Sequence, residues 1–293
     1  MISIKKYILK LCAMLLLAGL FLMPSVPAQA AVKKIGILNS DGRKSCRVDL
    51  DGDGVKERLS IKLKQDAYGT FHDAALYVNG KKAATLKKPL LGLQFGADYV
   101  KMSADHIFIR CYVTSDNDLT VFDCFYRYDP QSGRLIKAAE LLDVNESGSY
   151  AAIKSVSASK LMIQYEHWVE SIGYISWTST YTAKDGKLKR DTKASDAKSG
   201  FSTKTYNPDD YGKLFEKNQY KAMVDLIFHT DLSMQKEAFR IKKNDILTLQ
   251  KVKYTKDHWY LLFEKDGKQG WIDIKSIGGM EIFYGVNSRH IFP

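Results

Sequence analysis

The residues with the strongest chemical character form an acidic loop, Asp49-Leu50-Asp51-Gly52-Asp53-Gly54-Val55-Lys56-Glu57. Carboxylates recur at its first, third and fifth positions, and the glycines permit a tight turn that points them inward. The backbone carbonyl of the seventh residue and the carboxylate of the ninth follow. Hard oxygen ligands at this spacing suit calcium. The sequence therefore predicts one calcium site with five ligand residues: Asp49, Asp51, Asp53, Val55 and Glu57.

The loop differs from an EF-hand, which places a glutamate at the twelfth position and a helix after the loop. Here the twelfth residue is Ser60, and a strand-like run follows. The loop resembles the Asp-x-Asp-Gly-Asp-Gly loops that join strands in extracellular integrin-like and related bacterial repeat proteins. The resemblance implies a structural calcium ion, because a closed set of oxygen ligands leaves no open position for catalysis. The alternative is an Asp-Gly turn that binds no metal.

Three cysteines lie beyond the first thirty residues: Cys46, Cys111 and Cys124. Cys111 and Cys124 flank a polar run at 114–118 that predicts a hairpin turn. The two thiols could face each other across paired strands and form a disulfide in an oxidising compartment, or they could be buried free thiols. The odd number of cysteines argues against a complete disulfide framework.

The sequence contains no recognised catalytic motif. All three cysteines lie in strand-like runs, whereas a Cys-His hydrolase places its nucleophile at a helix start near a base. The histidines occur singly, without the His-Glu-x-x-His pattern of zinc hydrolases. Ser157 and Lys160 have the Ser-x-x-Lys spacing of penicillin-interacting enzymes, but the partner motifs and the helical setting are missing. We expect a protein that is not an enzyme. The alternative is a cell-wall hydrolase of unrecognised type.

A repeat in the turns predicts how the chain positions these residues. Gly80, Gly133 and Gly186 lie 53 residues apart, each in a hairpin context where a positive φ angle favours glycine. A basic residue follows each of these glycines: Lys81, Arg134 and Lys187. Runs rich in aromatic and β-branched residues surround each turn. The period predicts three four-stranded antiparallel units in an open or propeller-like array. The alternative is an ordinary β-sandwich with evenly spaced hairpins.

Towards the carboxyl end, an alternating run at 241–249 precedes an aromatic-led run at 259–262 and a Gly-Trp-apolar run at 270–272. This order resembles a bacterial SH3-like domain, an extracellular binding module often attached to proteins that work at the cell wall. The resemblance implies a small barrel with an aromatic-lined groove that binds peptidoglycan peptides. Tyr254, Trp259 and Tyr260 are the candidate ligand-binding residues, although Trp259 could equally be a core residue.

The first thirty residues have the features of a secretory signal. Three lysines precede an uncharged apolar run at 11–23, which ends before the small-x-small sequence Ala28-Gln29-Ala30. The run is shorter than the stretch of about 20 residues that spans a bilayer. We expect cleavage near Ala31, a secreted protein in contact with the cell wall, and no stable membrane span after cleavage.

The charge of the chain limits its partners. Its 293 residues carry a formal charge of +11, and the signal region holds three lysines and no acid, which leaves +8. The excess is spread over lysines without a recognition helix or a basic aromatic motif, so we expect no nucleic acid partner. Peptidoglycan or another wall polymer is the expected partner of an exported protein with a net positive charge, and a peptide or protein partner is the other possibility. A solvated cationic surface without a partner is the alternative.

Together these features predict a mainly β chain in four parts. They are a signal peptide (1–30), a β-repeat domain with one calcium-type loop (31–190), a linker with a short helix beginning near Asn207-Pro208 (191–222) and an SH3-like barrel domain (223–293). The favoured function is a secreted, non-catalytic binding protein that associates with the bacterial cell wall through its SH3-like domain. The alternative is a structural or partner-binding exported protein without wall affinity.

Overall fold

The computed structural model describes residues 33–86, 92–115, 120–141, 149–169, 171–200, 210–255 and 258–286. The described residues belong to one compact unit, Val32–Pro293. The predicted signal peptide and the predicted helix start at Asn207-Pro208 lie outside the described residues. In the described ranges no helix is both long and apolar enough to cross a membrane.

The described residues are mainly β, as predicted. The first nine strands are β1 (Lys33–Asn39), β2 (Ser45–Val48), β3 (Glu57–Gln65), β4 (Phe71–Val78), β5 (Lys81–Leu86), β6 (Gln94–Lys101), β7 (Ile107–Thr114), β8 (Thr120–Asp129) and β9 (Arg134–Glu140). The next five are β10 (Ser149–Val156), β11 (Lys160–Val169), β12 (Gly173–Lys184), β13 (Lys187–Arg190) and β14 (Ser195–Ser199). The helix α1 (Asp210–Glu216) precedes β15 (Gln219–Lys221), β16 (Leu226–His229), β17 (Glu237–Ile241), β18 (Ile246–Tyr254), β19 (Trp259–Lys265), β20 (Lys268–Asp273) and a 3₁₀ turn (Ile274–Ile277).

The first two predicted units are confirmed as antiparallel sheets. The first sheet has the order β2-β3-β4-β5, and the second has the order β6-β7-β8-β9 with β1 added beside β6. In the β4–β5 hairpin, Asn79 and Gly80 both have positive φ angles, 49° and 81°. Two consecutive left-handed residues are what a two-residue turn between twisted strands requires. The turn residues therefore set the hairpin, as the sequence indicated.

The third predicted unit is present but does not end at its fourth strand. β10, β11 and β12 pair in order, and β13 pairs with the second half of β12. β14 pairs with the first half of β12 and also with β18, so the third sheet continues into the carboxyl-terminal strands. The segment predicted as a linker thus contains a strand, Ser195–Ser199, as well as the predicted helix, whose Phe215 is buried.

The prediction of a closed barrel over 223–293 is wrong for the described residues. Their strands belong to an open eleven-stranded sheet whose main path ends β14-β18-β19-β20-β16-β17. One edge of β18 pairs with β15 at Ile246, Leu247 and Thr248, and with β14 at Lys251 and Val252. These neighbours occupy the hydrogen-bonding positions that a barrel-closing strand would need.

The sheets pack face to face in chain order around two cores. Alternation along β7 directs Ile109 and Cys111 into a core shared with the first sheet. Phe108, on the same strand, faces a second core that contains the third sheet and the carboxyl-terminal strands. The second sheet is therefore buried on both faces. Sheets stacked in this way agree with the predicted open or propeller-like array.

A buried charge cluster joins the second sheet to the third. Arg110 of β7 donates through Nε and Nη2 to the carboxylate of Asp123 on β8, at 2.9 and 2.5 Å, and through Nη2 to the carbonyl oxygen of Ala151 on β10 at 2.6 Å. Asp98 of β6 lies 3.7 Å from Nη1. Burial lowers the pKa of Arg110, but the nearby carboxylates more than offset this and raise the pKa. The charged guanidinium therefore ties four strands of two sheets together.

Removal of one member of this charge cluster should lower the stability of the protein. Asp123→Ala leaves Arg110 buried without its main partner, and we expect the free energy of unfolding to fall by about 3–5 kcal/mol. Arg240→Ala removes an exposed pair with Glu237 and should cost less than about 1 kcal/mol. Urea unfolding followed by circular dichroism measures both variants. Equal midpoints for the two would contradict the role of the cluster.

Candidate metal centre

The acidic loop connects β2 to β3, and its own carboxylates close the turn. Oδ1 of Asp49 accepts a hydrogen bond from the amide of Gly52 at 2.7 Å, and Oε2 of Glu57 accepts one from the amide of Leu50 at 2.8 Å. Gly52 and Gly54 have φ angles of 88° and 90°, which favour glycine. The sequence pattern thus folds into a loop whose backbone holds the carboxylates in place.

Three of the predicted ligands converge. Asp49, Asp51 and Glu57 each offer one carboxylate oxygen, and these oxygens lie within 4.8 Å of one another. Glu57 is only 8% exposed, and the two aspartates are half-buried. Negative charges at this separation repel, and a shared cation removes the repulsion. The donor set, oxygen alone, fits calcium, which completes its six to eight ligands with carbonyl or water oxygens.

The other two predicted ligands are placed differently. Asp53 is exposed and is not one of the three converging acids; its Oδ1 accepts a hydrogen bond from the amide of Val55 at 2.7 Å. The Val55 side chain is 63% exposed. The carbonyl oxygen of Val55 stays a predicted ligand. The alternation of acids along the loop predicted Asp53 because spacing alone does not distinguish a ligand from a turn-closing side chain.

The loop lies against the second sheet. A Cβ added at Gly52 would clash with the carbonyl oxygen of Ala104, in the turn after β6, so the close approach requires glycine. Nζ of Lys101 on β6 lies 3.7 Å from Oδ2 of Asp49. Burial, together with the charges of Asp49 and Glu57, raises the pKa of Tyr99 on β6 to about 12. The acids therefore lie at the joint between the first and second sheets.

The three candidate ligand-binding aromatics do not line one groove. Tyr254 and Trp259 are opposite each other in the β18–β19 hairpin, each 7% exposed, with ring centroids 5.2 Å apart. Trp259 stacks on His167 of β11 at 4.7 Å, inside the core shared with the third sheet. Tyr260 is half-buried on the opposite face of β19 because successive strand residues alternate. The expectation of a shared aromatic groove is corrected by this alternation.

The cysteine pair is where the sequence placed it. Cys111 and Cys124 are directly opposite each other on β7 and β8, and both thiols are buried. Burial, with the nearby Cys124, raises the pKa of the Cys111 thiol well above its usual value. Cys46 lies half-buried in the first sheet. Disulfide formation between the facing pair stays a prediction.

Two histidines of the described residues contact a polar side chain through Nδ1. Oγ of Ser103 lies 3.1 Å from Nδ1 of His106 within the β6–β7 turn. Nδ1 of His258 lies 2.7 Å from Oδ2 of Asp273, which also caps the 3₁₀ turn. Nucleophilic catalysis needs a nucleophile, a base and an orienting group together. Among the described residues each contact supplies only two of these three, so each is accounted for as a turn or cap contact.

Comparison with protein-family models, with curated proteins and with solved structures finds no match to this chain.

Calcium should stabilise the protein through the converging acids. Calcium at a hundredfold excess over its dissociation constant adds about 2.7 kcal/mol to the free energy of unfolding. This gain corresponds to a rise in Tm of about 5–10 °C. Asp51→Asn and Glu57→Gln should remove most of this rise. Thermal unfolding with and without calcium measures it.

Asp66→Asn provides the matched control, because Asp66 accepts hydrogen bonds from the amides of Tyr68 and Thr70 in the β3–β4 turn without joining the acidic group. This variant should keep the full calcium response. A response of the same size in Glu57→Gln, or none in the unaltered protein at about 100 mM calcium, a hundredfold excess over a dissociation constant of about 10⁻³ M, would exclude the site.

Proposed function

We propose that this chain is an exported, non-catalytic binding protein of the bacterial cell wall, with a β-sheet scaffold braced by one calcium ion. The observation that carries the proposal is the convergence of Asp49, Asp51 and Glu57 at the joint between the first and second sheets. An ion at this place would hold the loop of one sheet against the strands of the next. Its role would be to stiffen a scaffold rather than to activate a substrate.

Export of the protein and calcium binding are consistent with each other in this proposal. Calcium sites of extracellular modules are commonly weak, with dissociation constants of about 10⁻⁴–10⁻³ M, and they fill where calcium is abundant. The signal-like residues before Ala31 direct the chain to such an environment. The protein would therefore acquire its brace after export. The positive charge of the exported part favours the anionic polymers found there.

A second candidate, a structural or partner-binding protein without wall affinity, is favoured by one observation. Tyr254 and Trp259, expected to grip a wall peptide, are instead buried against His167 and Trp177 of the third sheet. The carboxyl-terminal strands thus use these aromatic rings to pack on the body of the protein. Wall affinity, in the favoured proposal, belongs to another surface.

Cosedimentation with purified cell-wall sacculi separates these candidates. We expect the protein to pellet with sacculi at low salt in the presence of calcium, and to pellet less after chelation because the scaffold loosens. A zymogram with the same sacculi should show no clearing. Absence from the pellet at low salt would favour the second candidate, and clearing of the gel would show the hydrolase that the sequence left as an alternative.

A further inference from the structure

Three strands, one from each sheet and each paired with a single neighbour among the described strands, lie side by side. β5 ends the first sheet, β9 ends the second, and β13 flanks β12 in the third. β9 contacts both β5 and β13. Each of these strands begins just after a turn glycine of the 53-residue repeat, so the same hairpin position recurs three times at one edge of the stack.

These edge strands are strongly basic. Their sequences are KKAATL, RLIKAAE and KLKR, in which Glu140 is the one acid, and its carboxylate is bonded to Lys137 at 3.0 Å. We name their exposed cations the basic stripe: Lys81, Lys82, Arg134, Lys137, Lys187 and Lys189. The repeat therefore sets cations of three successive sheets in one row.

The gaps between the edge strands also carry positive charge. A groove of about 510 Å³ lies between β5 and β9, and its charged lining residues are the three cations Lys82, Arg134 and Lys137 and the one acid Glu140. At the next gap, Nε of Arg127 lies 2.5 Å from the position that a Cβ would occupy at Gly186, in the turn before β13. A ligand that runs along the stripe thus meets cations on the strands and between them.

We infer that the basic stripe binds a linear polymer of phosphodiester groups, without nucleobases, as an anionic polymer of the cell wall would supply. Packed sheets lie about 10 Å apart, so the cations of three edge strands extend over about 20 Å. A small anion meets one strand, whereas an extended polyanion meets all three. This inference rests on the proposed function and names the surface and the partner for it.

The composition of the stripe favours a polymer without bases. Proteins that bind single-stranded nucleic acid stack the bases on aromatic side chains. The three edge strands contain no aromatic residue, and the two aromatic residues that line the groove between β5 and β9, Phe122 and Tyr126, are buried. Lysine, the main cation here, acts as a point charge towards phosphate and imposes little geometry. Lysines on an edge strand also prevent pairing with other chains. If that were their sole role, changing them would leave polymer affinity unaltered.

The test measures binding of the full chain to synthetic poly(glycerol phosphate) by fluorescence anisotropy in calcium buffer. The triple variant Lys82→Glu, Arg134→Glu, Lys187→Glu should bind at least about tenfold more weakly and with a shallower salt dependence. The triple variant Lys243→Glu, Lys251→Glu, Lys268→Glu makes the same change in charge at exposed sites of β18, β20 and the turn between β17 and β18, and its affinity should fall less than about threefold. Lys82→Arg, Arg134→Lys, Lys187→Arg should keep the affinity.

Amine footprinting of the unaltered protein gives a second readout that does not depend on folding of the variants. Poly(glycerol phosphate) should protect Lys82 and Lys187 from acetylation and leave Lys243 reactive. Equal losses in both glutamate triples, protection of Lys243 alone, or no binding would overturn the inference. Equal or tighter binding of single-stranded DNA, or of polyglutamate, would assign the stripe to another polyanion.

Sacculi from which anionic polymers have been extracted distinguish failure of this inference from failure of the proposed function. Binding to extracted sacculi without binding to poly(glycerol phosphate) would contradict the inference about the basic stripe and leave the proposed wall-binding function standing. Binding to neither material would contradict both the inference and the proposed function.

Discussion

Burial of the second sheet on both faces is the constraint on which the other features depend. Alternate residues of β7 pack into two different cores, and the polar groups among them need hydrogen-bond or charge partners inside the protein. Arg110 does so through Asp123, Asp98 and the carbonyl oxygen of Ala151, which lies in the next sheet. The packing of the third sheet on the second is therefore specified by charge as well as by shape.

The same constraint decides where function can lie. With its faces covered, the second sheet offers its ends and its two edge strands, β1 and β9. The acidic loop of the first sheet meets one end, beside Tyr99 and Lys101. The outer edge, β9, lies between β5 and β13 and joins them in the basic stripe. A brace at the joint and a row of cations at the rim are consistent with a scaffold that binds a polymer, as we propose.

Local signals predicted much of the fold. Gly80 and its two counterparts marked hairpins because a positive φ angle is a property of the turn itself. The acids of the loop converge because neighbouring amides hold their carboxylates. Contacts between distant segments were not predictable. Ser195–Ser199 has one buried residue, Ala197, and becomes a strand only because β12 and β18 flank it. The burial of Trp259 depends likewise on the third sheet, which no local pattern indicates.

Hydrogen exchange of the full chain with and without calcium tests the central claim, that an ion at Asp49, Asp51 and Glu57 braces the first sheet against the second. The account predicts slower exchange on calcium addition in the β2–β3 loop and, together with it, in β6 and the β6–β7 turn. Exchange in β19 and β20 should change little. A calcium effect confined to the loop, or no effect at either place, would contradict the claim.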